Sequence, residues 1–183
     1  MSTPPVDHAG VPYRIAVLVH LTDGQGRRLV LHRTKEPNAG MHSPVGGKLE
    51  VEDGESPHTC AVREVHEETG IVLKEDEVHL LGMVSERAYE NTNHWLIFVY
   101  EATRTIDPNE ITSMVMDEGE LKWVRDEDIE HIGIPDTDRE ILWPQVKAHT
   151  PGGFFVVHIE CGGDTLVPTP VSYTHLTLPT MQV

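Results

Sequence analysis

The sequence predicts an α/β protein, with a mixed β-sheet held between helical layers as an α/β/α sandwich. Three observations carry that expectation. Runs of β-branched and aliphatic residues recur from Tyr13 to Glu160, two helical stretches interrupt them, and no internal repeat organises the chain. At 183 residues the length suits one domain with a sizeable core.

Residues 1–11 are polar and proline-containing and read as a flexible arm. Tyr13 to Leu21 (YRIAVLVHL) reads as a buried strand. Thr22 to Gly26 is a turn, and Arg28 to Arg33 pairs back as a second strand. Thr34 to Pro44 reads as a loop leading into the glycine pair Gly46-Gly47. Ser56 is a good N-cap, Pro57 suits a first helical turn, and Gly70 sits where a left-handed cap belongs. The first helix is therefore expected from Pro57 to Thr69.

Beyond it, Glu77 to Val84 reads as a strand and Ser85 to Asn93 as a polar loop of the kind that borders pockets. His94 to Glu101 (HWLIFVYE) is the clearest later strand, and Thr103 to Asp117 is irregular, with a turn around Pro108. Glu120 to Val124 is a short strand, Asp126 to Ile129 a helical turn, and Asp138 to Lys147 a second helix. Phe154 to Glu160 closes the set, so the domain is expected to span residues 12–164. A disordered tail is expected over 165–183. Within it, residues 170–180 resemble one reading frame of a sequencing-library adapter, so the segment from about 170 is expected to be non-native.

The first helix places Glu64, Glu67 and Glu68 at i, i+3 and i+4, on one face. Ala61, Val62 and Val65 fall on a neighbouring face that can be buried, and Arg63 precedes Glu67 by one turn. Clustered carboxylates are the hard-oxygen set that Mg²⁺, or Mn²⁺, prefers. Alone they read as a solvated acidic face; the surrounding pattern changes that.

Glu55, seven residues, then Arg63-Glu64-Val65-His66-Glu67-Glu68-Thr69-Gly70-Ile71 closely resembles the Nudix box, G-x5-E-x7-R-E-U-x-E-E-x-G-U, where U is aliphatic. The first half departs from it, because seven residues rather than five separate Gly47 from Glu55. Val51-Glu52-Asp53 then reads as part of a two-residue loop insertion. The resemblance implies the Nudix fold and hydrolysis of a phosphoanhydride by water attack on phosphorus. It implies that Glu64, Glu67 and Glu68 hold Mg²⁺, with the Gly46 carbonyl and Glu118 completing the metal shell. Glu67 or Glu68 would act as base, Arg63 would orient Glu64, and Glu55 would support the site.

Leu31-His32-Arg33, Gly46-Gly47-Lys48 and Pro135-Asp136-Thr137-Asp138 resemble the MutT-type branch, which includes 8-oxo-dGTP diphosphatases. That likeness implies a nucleoside triphosphate (a dNTP or an oxidised dNTP such as 8-oxo-dGTP) cleaved to monophosphate and pyrophosphate. Arg33, Lys35, Ser43, Gly47, Lys48, Asp136 and Asp138 are the expected substrate-binding residues. His42-Ser43-Pro44 stands where that branch commonly has Trp-Asn-Gly, and Asp136 and Asp138 are spaced apart. Two alternatives stay open: an ADP-ribose or dinucleotide-polyphosphate pyrophosphatase, and a non-catalytic nucleotide-binding module of the same fold. The absence of proline between Pro57 and Pro108 counts against ADP-ribose.

A formal net charge of −16 argues against a nucleic-acid polymer as partner. It also requires metal at any site for a polyphosphate. Two cysteines without a C-x-x-C pattern suit a reducing cytoplasm, and the spacing of His66-Glu67-Glu68-Thr69 excludes a zinc-protease motif. No apolar run is long enough to span a membrane. The expected partner is a small nucleotide, bound by a monomer or homodimer.

Overall fold

The computed structural model describes residues 10–36, 38–90, 93–162 and 165–171. The chain runs through strands β1 (Tyr13–His20), β2 (Arg27–Arg33) and β3 (His42–Pro44), then helix α1 (Pro57–Thr69). Strands β4 (Val78–Tyr89), β5 (Asn93–Ala102), β6 (Val115–Met116) and β7 (Gly119–Arg125) follow. Helix α2 (Trp143–His149), β8 (Phe155–Glu160) and β9 (Val167–Val171) complete the order.

Five strands form a mixed sheet in the order β1-β5-β4-β8-β9. β1 runs parallel to β5 and β4 parallel to β8, while the β4/β5 and β8/β9 pairs are antiparallel. A second sheet, β3-β2-β7-β6, is wholly antiparallel. Side-chain alternation divides the interior in two. Val17, Val19 and Tyr100 pack with Cys60, Ala61 and Val65 of α1 and with Leu29, Leu31 and Leu121 of the second sheet. Val84, Val99, Phe155 and Val157 pack with Trp143 and Val146 of α2. The two helices thus cover opposite faces of the mixed sheet, as expected for an α/β/α sandwich. No helix among the described residues is long and apolar enough to cross a membrane.

Helix α1 has the predicted bounds for the predicted reasons. The Ser56 hydroxyl accepts a hydrogen bond from the Thr59 backbone N–H at 3.1 Å. Gly70 takes φ of 78° and donates to the His66 carbonyl. The expected insertion is a single 3₁₀ turn, Val51–Asp53, closed by Gly54 at φ 70°.

Four expectations need correction. His42–Pro44 pairs with β2 instead of lying in a loop; a three-residue strand carries no alternation to detect, and backbone pairing with Val30 to His32 holds it. The expected loop at 85–93 is largely strand, since β4 runs on to Tyr89. Glu86 there is 5% exposed, so an inward-facing carboxyl imitated a solvent residue. The second helix opens with a π-helical turn, Asp138–Leu142, in which Trp143 N–H donates to the Asp138 carbonyl. Pro144 has no N–H to make the α-helical bond that would begin a tighter turn. Finally, Val167–Val171 is not disordered but pairs antiparallel with β8. Its valines and threonine suit a strand, and Pro168 and Pro170, two residues apart, direct their missing N–H toward the same edge. Residues 1–9 of the expected arm and 172–183 of the expected tail lie outside the described residues.

The cap on α1 makes a direct test of helix stability. Ser56→Ala is expected to lower unfolding free energy by about 1 kcal/mol, measured as a shift in denaturation midpoint at constant slope.

Candidate active site

Arg63 is the hub of the site. Its Nε and Nη2 donate to the two oxygens of Glu55 at 2.7 and 2.9 Å, a bidentate pair. Nη1 donates to Glu64 at 2.8 Å and to Glu67 at 3.0 Å, and Nη2 reaches the Lys48 carbonyl at 3.2 Å. Glu55 also accepts the Glu50 backbone N–H at 2.9 Å. The Arg63 hydrogen bonds hold the Glu55 carboxyl down at about 2, well below the usual carboxylate value. One guanidinium therefore ties the helix to the loop in front of it.

The glycine pair is wedged between β1 and α1. Val17 N–H donates to the Gly47 carbonyl at 2.9 Å and Val19 N–H to the Val45 carbonyl at 2.7 Å. A Cβ on Gly46, which has φ of 153°, would lie 2.1 Å from the Val17 carbonyl oxygen. A Cβ on Gly47 would lie 2.3 Å from a Glu64 carboxylate oxygen. Only glycine lets this backbone approach the helix carboxylates so closely. Gly46 N–H donates to Glu68 at 3.1 Å.

The glutamates differ in surroundings. Burial pushes the Glu68 carboxyl up to about 8, with the charges of Glu64 and Glu118 adding to the rise and the Gly46 N–H opposing it. Burial also raises Glu64, against the pull of Arg63. Glu67 is 56% exposed and held by Arg63. Glu118 pairs with Arg33 at 3.6 Å and is close enough to raise both Glu64 and Glu68.

A cavity of about 420 Å³ opens beside these groups. Arg33, Ser43, Gly46, Gly47, Lys48, Arg63, Glu64, Glu118 and Asp138 all line it. Two residues do not join them. Lys35, two residues past the end of β2, is exposed and paired with Asp117. Asp136 is exposed and faces an adjoining groove with Glu90 and Glu140, with Arg139 3.9 Å away. Glu55, Glu67 and Glu68 do not line it themselves but are tied to residues that do, through Arg63 and Gly46.

The far end of the cavity holds a residue that sequence reasoning missed. Glu86 lies there with Asp138, Tyr89 and Asn38, the Tyr89 hydroxyl donating to Asn38 at 2.7 Å. Burial pushes Glu86 up to about 8, and the charge of Asp138 pushes it the same way. Burial raises Asp138 to about 7. The available signal was local: Ser85-Glu86-Arg87 extends a strand pattern only if Glu86 is allowed to face inward.

Among the described residues, no three carboxylate, imidazole or thiol groups converge into a closed cation cage. The donor set nonetheless fits Mg²⁺. This ion characteristically takes one or two protein carboxylates and completes its shell with water and substrate phosphates. Glu64 and Glu68 are crowded carboxyls whose raised values express repulsion and burial that a cation would relieve.

The family description NUDIX domain matches residues 12–154. An RNA pyrophosphohydrolase of Dinoroseobacter shibae is 42% identical over 74 residues, covering 40% of this chain and 44% of that protein. One from Novosphingobium aromaticivorans is 37% identical over 86 residues, covering 43% and 52%. The chain thus spans about half the length of these curated relatives. Among solved structures, a MutT protein from Bacillus halodurans has a TM-score of 0.66 at 21% identity, covering 85% of this chain and 97% of that one. A MutT protein from Methanosarcina mazei has a TM-score of 0.63 at 25% identity, covering 77% and 98%.

The buried acids at the far end give a pH test. Glu86 and Asp138 are protonated in the fold over a range where the unfolded chain carries them ionised. The stability they contribute is complete below about pH 4 and is lost as pH rises through about 7 to 8. Glu86→Gln cannot ionise. Its advantage over wild type in thermal melts is expected to grow from near zero at pH 4 to roughly 2–4 kcal/mol at pH 8. A difference constant across pH would contradict this account.

Proposed function

The chain belongs to the Nudix family, and we propose that it is a divalent-metal-dependent pyrophosphohydrolase. Its substrate in this reading is a nucleoside triphosphate, a dNTP or an oxidised dNTP such as 8-oxo-dGTP, cleaved to monophosphate and pyrophosphate. The observation that carries the reading is the Arg63 network. It arrays Glu55, Glu64 and Glu67 around one cation beside a cavity of about 420 Å³. A non-catalytic binding module would not need that array intact.

Glu64, Glu67 and Glu68 would hold Mg²⁺, with Glu118 and the Gly46 carbonyl as further oxygen donors. When bound, the metal neutralises phosphate oxygens and lowers the pKa of water. The chain's own residues do the rest. Arg63 fixes the rotamers of Glu64 and Glu67 through charge-assisted hydrogen bonds. Arg33 and Lys48 offer positive charge to a polyphosphate at the cavity wall. Glu67 and Glu68 are the carboxylates available to accept a proton from attacking water. Both cysteines are free thiols, consistent with the reducing cytoplasm proposed as its compartment.

One observation favours a second reading. The relatives named RNA pyrophosphohydrolase raise a 5′-triphosphorylated RNA end as substrate, against the small-nucleotide partner expected from charge. The net charge of −16 and the acidic groove of Glu90, Asp136 and Glu140 beside the cavity favour the mononucleotide.

The test follows pyrophosphate release with Mg²⁺ from dNTPs, 8-oxo-dGTP and a 5′-triphosphorylated RNA oligonucleotide. Turnover is expected on free triphosphates, falling by at least about 10²-fold in Glu68→Gln and Glu67→Gln and ceasing with chelator. Turnover of the RNA alone would move the assignment to the second reading. Silence on every substrate would favour the binding module.

A further inference from the structure

Between β1, β2, β3 and α2 lies a second, much smaller cavity of about 30 Å³. His20, Arg28, Ser43 and Trp143 line it, one from each of these elements, and the rest of its wall is largely apolar, with Val30, Pro44 and Leu142. The four polar residues share one peculiarity. His20 Nε2, Arg28 Nη1, Ser43 Oγ and Trp143 Nε1 are each buried and have no hydrogen-bond partner among the described residues. His20 and Arg28 are 5% exposed and Trp143 is 3% exposed. They also stand close together. Arg28 Cζ lies 4.9 Å over the Trp143 ring, and the ring centroids of His20 and Trp143 are 6.1 Å apart. Asp126 accepts from Arg28 Nε at 2.8 Å and from Nη2 at 3.4 Å, so Nη1 is the guanidinium nitrogen left over. Buried polar atoms are seldom left unpaired, and four around one cavity call for a guest that hydrogen-bonds.

We propose that this cavity is the binding site of one internal water molecule, held at once by Arg28, Trp143, His20 and Ser43.

The count of donors and acceptors identifies the guest. Arg28 and the Trp143 indole can only donate, which fills the two accepting positions of a water oxygen. A neutral imidazole with its proton on Nδ1 and a serine oxygen can both accept, which uses the two water hydrogens. Burial, aided by the charge of Arg28, holds His20 down at about 3, so its ring is neutral at neutral pH. The cavity volume suits a water, whose share of the liquid is about 30 Å³, and is too small for a nucleotide group. A halide fits less well. It would need all four atoms as donors, the Arg28 charge is already met by Asp126, and the acidic Asp138 lines the same cavity. Ser43 and Asp138 line the larger cavity as well. The water therefore ties α2 to three strands at the back of the larger cavity's wall.

This inference is independent of the reaction, so it is tested on the full chain without substrate. A high-resolution crystal structure, with a parallel bromide soak, is expected to show one ordered water about 2.7–3.2 Å from all four atoms and no anomalous bromide signal there. In solution, the Trp143 indole N–H, assigned by its loss in Trp143→Phe, is expected to show a rotating-frame cross-peak to water. Bound water and proton exchange give that peak opposite signs, and the bound sign is expected. The ¹⁵N shifts of His20 should report the Nδ1–H tautomer. His20→Phe removes one acceptor and fills space, and should abolish the Trp143 cross-peak while the rest of the spectrum stays folded. If that variant does not fold, the wild-type measurements decide alone. A bromide in the cavity, a dry cavity, direct pairing among the four residues, a protonated His20 Nε2 or a missing Trp143 cross-peak would each overturn the proposal. So would a cross-peak that survives unchanged in His20→Phe.

Discussion

The site depends on a single guanidinium. Arg63 carries one positive charge and shares it among Glu55, Glu64 and Glu67, while also donating to the Lys48 carbonyl. Without it, three carboxylates of one helix turn and its approach loop would repel one another in a partly buried setting. With it, the loop before α1, the helix and the glycine pair become one rigid unit. The bidentate geometry to Glu55 makes lysine a poor substitute, since an ammonium cannot present the planar fork. Glu55 sits close to the helix N-terminus, so its carboxylate is also favoured by the helix dipole.

Crowding by glycine is the second constraint. Gly46 and Gly47 do not serve flexibility here; each clears a contact that any side chain would block, one with the β1 backbone and one with Glu64. The distance between sheet and helix carboxylates is therefore set by the absence of side chains. The same sheet carries both ends of the pocket, because β1 and β4 supply walls to it and α1 lies across one face. A substrate spanning the cavity would touch elements from both ends of the sequence.

Legibility in the sequence followed physical cause. Helix α1 was readable because its cap, proline, charge spacing and glycine stop are local and mutually consistent. Its buried face and the placement of Arg63 one turn before Glu67 followed from helical spacing, whereas the link from Arg63 to Glu64 came from the resemblance to the family box. Glu86 was not readable, because hydropathy counts a glutamate as a solvent residue and its burial is decided by β8 and the segment around Asp138. Lys35 and Asp136 show the reverse error. Their residue types suit phosphate or base, yet each lies one or two positions beyond the element that faces the cavity. β3 and β9 owe their existence to neighbouring ladders, and pairing over a distance leaves little trace in a three- or five-residue segment.

The ladder between β8 and β9 also bears on how the molecule behaves in company. β8 is an apolar strand whose Phe155, Val157 and Ile159 are buried, and β9 occupies its outer hydrogen-bonding edge. The prolines of β9 then leave the sheet with an edge that is poor at recruiting another strand. Trimming the chain before Val167 would expose the β8 edge, a long and hydrophobic template for pairing with a second molecule. Versions of this chain shortened before Val167 should therefore self-associate through the uncovered β8 edge.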